Sequence, residues 1–135
     1  MLKTELPSPI ALPEGAVFVD DDDIVLASAV ARVSTGVRSP VAYARAGPRA
    51  TVARAGEEVV AAVVTCGGLC PGLNTVVREL YLCLSRQYGV DSVLGVQDGY
   101  AGFKDLAKSG VRLDDAFVEG IHARGGTVLR SSRGG

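Results

Sequence analysis

The sequence predicts an α/β fold, a parallel sheet built of βαβ units preceded by an irregular N-terminal extension. Three features of one stretch carry that prediction. Val59 to Val64 is an uncharged run rich in β-branched valine, the composition of a strand buried on both faces of a parallel sheet. Gly67, Gly68 and Gly72, with Pro71, then turn the chain tightly and leave a backbone that another group can approach closely. From Asn74 the apolar period becomes helical, with Val77, Tyr81, Leu84 and Tyr88 on one face and Val76, Leu80 and Cys83 beside them. Strand, glycine turn and helix in that order leave free N–H groups at a helix N-terminus, which suits an anion such as a phosphate. The same turn closes many βα units that carry no ligand, so both readings stand at this point.

Ahead of that stretch the chain is less regular. Pro7, Pro9, Pro13 and Gly15 mark an irregular arm, and Asp20 to Asp23 form an acidic run that reads as a solvated turn or a helix start. Four adjacent carboxylates cannot all face one ion from a strand or a helix. Ile24 to Val30 fits a short strand or a short helix equally well, and Pro40 with Gly47-Pro48 marks a loop leading to the main strand.

Beyond the central helix, Gly89 supplies a C-terminal stop and Ser92 to Val96 reads as the second strand. The loop Gln97 to Phe103 either packs Tyr100 and Phe103 over the sheet edge or presents Tyr100 to a ligand. Lys104 to Val111 reads as a polar connector ending at Gly110. Asp114 or Asp115 then caps a helix running to about Ala123, with Phe117 and Ile121 on its buried face and His122 near its end. Gly125-Gly126 leads into a third strand, Thr127 to Leu129. The closing Arg130-Ser-Ser-Arg-Gly-Gly sets hydroxyls, guanidinium groups and glycine N–H groups at a strand's carboxyl end, where ligands sit in open α/β sheets.

Standard nucleotide motifs fail on this turn. Gly67 and Gly72 have the GxxxxG spacing of a P-loop, but Leu73 and Asn74 stand where Lys and Ser or Thr are required, and GxGxxG is absent. The segment Thr65-Cys66-Gly67-Gly68-Leu69-Cys70-Pro71-Gly72-Leu73-Asn74 instead resembles the first nucleotide-binding turn of the 6-phosphofructokinases, in their plant, algal and protist branch. Ala46-Gly47-Pro48-Arg49, Asp98-Gly99-Tyr100-Ala101-Gly102-Phe103, and Gly125 to Leu129 with Ser132 to Gly135 resemble further segments of that branch, in order.

The resemblance implies phosphoryl transfer from ATP, with magnesium, to fructose 6-phosphate. It implies nucleotide contacts at Gly68, Tyr100, Arg133 and Gly134, and divides the chain into an extension, residues 1–57, and a truncated nucleotide-binding domain, residues 58–135. The family's Gly-Gly-Asp-Gly magnesium motif and its Thr-Ile-Asp-Asn-Asp base motif are absent, so no catalytic or metal-binding residue is assigned and the isolated chain is expected to be inactive. Arg130 stands where the family usually has glycine, so either the turn tolerates a side chain or this copy has drifted. The alternatives are a pyrophosphate-dependent relative, or a stand-alone nucleotide-binding or regulatory module. Full-length relatives are homo-oligomers by the same resemblance.

Composition narrows the remaining classes. The 135 residues bound one modest core, and a net charge of −1 without a basic block gives no reason to expect nucleic acid. No apolar run approaches the ~20 residues of a membrane span, and the N-terminus lacks a signal core. Cys66, Cys70 and Cys83, with no second CxxxC pair, read as reduced thiols rather than zinc ligands, in keeping with a cytoplasmic protein.

Overall fold

The computed structural model describes residues 5–27 and 41–133. The end of the Ile24 to Val30 segment, the Pro40 marker, and Gly134 and Gly135 of the closing motif lie outside the described residues. The chain divides into two compact units, Met1–Ala53 and Arg54–Gly135.

In the first unit, β1 (Leu6–Pro7) and β4 (Thr51–Val52) form one antiparallel pair, and β2 (Ile24–Leu26) and β3 (Ala42–Ala44) another. The undecided segment at Ile24 is therefore a strand over its first three residues. Asp20 to Asp23 form a tight turn in which the Asp23 N–H donates to the Asp20 carbonyl at 3.3 Å, and Asp20 N–H to Asp23 Oδ2 at 3.2 Å. Arg45 and Arg49 pair with Asp23 and Asp21 at 3.3 and 3.0 Å, so two of the four carboxylates in the run have a cationic partner. Gly47 lies against Val19, the one described residue of this unit in the buried apolar set.

The second unit carries the predicted βαβ unit. Strand β5 (Val60–Val64) leads through the glycine turn to α1 (Leu73–Leu82) and back to β6 (Ser92–Val96), which pairs parallel with β5 from Val60↔Ser92 to Val64↔Val96. Only one face of β5 is covered: Val63 is buried and Ala61 packs on the core, whereas Val60 is 68% exposed. The valine run thus marks a strand, but not one enclosed on both sides.

Helix α1 turns Asn74, Val77 and Tyr81 inward, continues as a π-helical turn over Cys83–Gln87, and brings Leu84 and Tyr88 onto the core as the spacing predicts. Gly89 then takes φ 66°, a left-handed stop.

The third strand lies elsewhere than expected. After the 3-10 segment Gly99–Asp105 and the single-turn α2 (Leu106–Ser109), the predicted connector supplies β7 (Gly110–Arg112), antiparallel to β6. Bonds from Gln97 N to Ser109 O and from Leu113 N to Val93 O, both 2.9 Å, continue the pairing at each end. Gly110 permits this because a Cβ there would sit 2.6 Å from the Leu106 carbonyl. The sheet order is β5-β6-β7, and the sheet is mixed rather than wholly parallel.

Thr127 to Leu129 is not a strand. Its backbone is satisfied locally and by side chains: Val128 N donates to Asn74 Oδ1 at 2.8 Å, and Leu129 N to Thr127 Oγ1 at 3.1 Å. The fully buried Leu129 instead lies over Gly95 of β6, where a Cβ would meet its Cδ2 at 2.5 Å.

The expected helix from Asp114 to Ala123 is also broken. Asp114 caps it, its Oδ1 accepting from Phe117 N at 2.7 Å, but α3 spans only Asp115–Val118. Gly120 at φ 69° interrupts the helix before a 3-10 turn at Ile121–Ala123. Val118 and Ile121 still close the core, and His122 points to the exposed side.

Candidate functional site

The carboxyl end of β5 opens into a cleft of about 480 Å³. Its walls are the turn Gly67–Leu69, the turn Gly125–Thr127 and the closing segment Arg130–Arg133. These come together because Thr65, the residue after the strand, is buried and bonded on two sides. Its hydroxyl lies 2.9 Å from Thr127 Oγ1 and 2.6 Å from the Arg130 carbonyl. Gly67 N–H donates to Ser132 O at 3.1 Å, and Ser131 Oγ donates back to Gly67 O at 2.6 Å.

Asn74 ties the far wall to the helix. Its amide donates to Arg124 O at 2.8 Å while its Oδ1 holds Val128 N, and the side chain is almost wholly buried. Helix α1 begins immediately before, after Gly72 at φ 80°, so its first-turn N–H groups lie beside the turn without intrahelical partners.

The cleft's surface is backbone and polar. A Cβ built on Gly67, Gly68, Gly125 or Gly126 meets nothing within 4 Å, so these glycines border open space rather than packed protein. Two guanidinium-bearing residues, Arg130 and Arg133, line the cleft, and among the described residues no Asp or Glu does. That donor set fits the oxygens of a phosphate chain. It does not fit magnesium, which takes oxygen ligands, usually with one or two carboxylates. Among the described residues no group of three or more His, Cys, Asp or Glu is placed to hold a metal.

Of the predicted contact residues, Gly68 and Arg133 share this cleft, and Gly134 lies outside the described residues. Tyr100 does not line it. The residue is 57% exposed and its ring stacks on the Phe103 ring at 6.4 Å, so neither aromatic is buried over a sheet edge. Cys66 and Cys70 are exposed on the turn as free thiols, Cys66 donating to Ser132 O at 3.3 Å.

Thr65 and Asn74 organise the site, a role that their place at the two ends of the glycine-turn motif does not by itself assign. The available signal was a hydroxyl ending an apolar strand and an amide opening a helix behind a glycine turn.

The phosphofructokinase family profile matches residues 60–135, from the start of β5 through the cleft. The chain belongs to the phosphofructokinase family. Two relatives from Arabidopsis thaliana, the chloroplastic ATP-dependent 6-phosphofructokinase 4 and ATP-dependent 6-phosphofructokinase 2, are 48% and 44% identical over 118 and 128 residues. Those matches cover 87% and 95% of this chain but 22% and 28% of the relatives. An ATP-dependent 6-phosphofructokinase from Amycolatopsis methanolica is 37% identical over the whole chain, which spans 29% of it. The phosphofructokinase match includes the whole lining of the cleft, and residues 1–59 fall within the last alignment. No described helix is long and apolar enough to cross a membrane.

Proposed function

We propose that this chain supplies part of the nucleotide-binding half of a 6-phosphofructokinase, holding the phosphates of ATP for transfer of the terminal phosphoryl group to fructose 6-phosphate. The observation that carries the reading is the cleft itself, with open glycine backbone, two arginines and no Asp or Glu among its described lining residues. Phosphoryl transfer relies on positioning and charge neutralisation, and a guanidinium fork spans two phosphate oxygens at once. Gly68 leaves room for the phosphate chain, and Arg133 carries positive charge to it.

The chain spans only about a quarter of its relatives. Sugar binding, homo-oligomeric assembly and the 58–135 domain boundary belong to the same proposal. In the complete enzyme magnesium would neutralise phosphate charge, but the lining residues of this cleft do not fit it. With no Asp or Glu among the described lining residues to take the sugar hydroxyl's proton, the isolated chain should not turn over. Three free thiols support a reducing, cytoplasmic setting.

Calorimetry on the 135-residue chain with ATP, inorganic tripolyphosphate, pyrophosphate and adenosine tests the reading. ATP and tripolyphosphate should bind and adenosine should not. Pyrophosphate binding as tight as that of ATP would favour the pyrophosphate-dependent branch. Failure of both ATP and tripolyphosphate would overturn the reading.

A further inference from the structure

Arg130 and Asp98 are the only non-glycine residues among those described with positive φ, at 59° and 64°. A left-handed backbone is costly for a residue with a Cβ and persists where surrounding bonds over-determine it. Both residues are held in that way. The Arg130 carbonyl accepts from Thr65 Oγ1 at 2.6 Å and its N–H donates to Thr127 O at 3.2 Å. Asp98 N–H donates to Leu129 O at 3.0 Å, and the Asp98 carbonyl accepts from Ser132 Oγ at 2.7 Å.

The backbone thus fixes two opposite charges on neighbouring loops, where Arg130 Nη1 and Asp98 Oδ2 lie 3.6 Å apart. Arg130 lines the cleft and Asp98 does not. Their side chains are 66% and 54% exposed, so water screens the pair and releasing it costs little.

We infer that Arg130 is a second anion-binding guanidinium of the cleft, parked on Asp98 when the cleft is empty and exchanged onto a polyphosphate when it is filled. The inference rests on the proposed phosphate-binding reading of the cleft. Arg133 alone brings one guanidinium to a chain of three phosphoryl groups. Arg130 brings another from the adjacent wall, and Asp98 sets how readily it is released.

The test is tripolyphosphate binding to the full chain by calorimetry, with thermal unfolding of each variant alongside. Arg130→Gly relieves the backbone strain, so it should fold at least as stably as the parent while binding about tenfold more weakly, the scale of one charge-assisted phosphate contact. Asp98→Asn should tighten binding about threefold, and that gain should fall by more than half in the Arg130→Gly background. Equal affinity of the parent and Arg130→Gly would overturn the inference and leave the phosphate cleft standing. An Asp98→Asn gain that persists undiminished without Arg130 would remove the exchange. No binding by the parent chain would overturn the underlying reading and this inference with it.

Discussion

The side-chain carbonyl of Asn74 accepts a 2.8 Å hydrogen bond from the backbone N–H of Val128, joining the first turn of α1 to the far wall of the cleft across 54 residues of sequence. Its amide holds the Arg124 carbonyl as well. Asn74→Leu keeps the number and branching of the side-chain heavy atoms but leaves both backbone groups without that partner, at about 1–3 kcal/mol each if they stay dry. A clearly lowered urea midpoint is expected. A parental midpoint would show that water replaces the amide at no cost.

Gly68 and Gly67 should separate space from strain. A Cβ on Gly68 meets no protein atom, so Gly68→Val should change stability by no more than ~0.5 kcal/mol while blocking ATP. Gly67 also has room, but its φ of 89° makes Gly67→Ala cost about 1–2 kcal/mol. Calorimetry and thermal melts on the two variants check this. Undiminished ATP affinity in Gly68→Val would take that turn out of the site.

Arg133→Lys retains the charge and loses the planar fork, so tripolyphosphate should bind several-fold more weakly than to the parent and more tightly than to Arg133→Ala. In a complete enzyme carrying this segment, Arg133→Lys should also lower kcat, because the fork gains most as charge shifts during transfer. Turnover equal to the parent's would leave Arg133 as an ordinary surface cation.

Gly102 is a packing constraint rather than a ligand contact. A Cβ there runs into the Gln97 carbonyl and within 2.8 Å of Val96, both part of the rigid sheet and its exit loop. Gly102→Ala should destabilise by roughly 1–3 kcal/mol, read as a lower melting temperature, with little change in phosphate affinity in the fraction that folds. A parental melting temperature would mean the 3-10 segment can shift away from the sheet.

The sequence by itself determined the β5–turn–α1–β6 unit and the position of its glycine turn. Those features follow from local rules: valine run, glycine turn and helical period all agree over Val59 to Val96. It also narrowed the helix cap to Asp114 or Asp115 and placed the Gly89 stop, since each depends on neighbours a few residues away. Only the tertiary structure decided which short segment became the third strand. Gly110–Arg112 and Thr127 to Leu129 are both three residues long, too short for periodicity to separate.

The choice follows from what lies beside β6. Gly110 fits under the Leu106 carbonyl and lets Val111 continue the ladder, while Leu129 fills the space over Gly95 and gives up strand geometry to do so. The left-handed turn at Arg130 was equally unreadable, because arginine has no local preference for it. It is held by Thr65, a residue 65 positions earlier, whose hydroxyl finds the Arg130 carbonyl only once the strand and the closing segment have met.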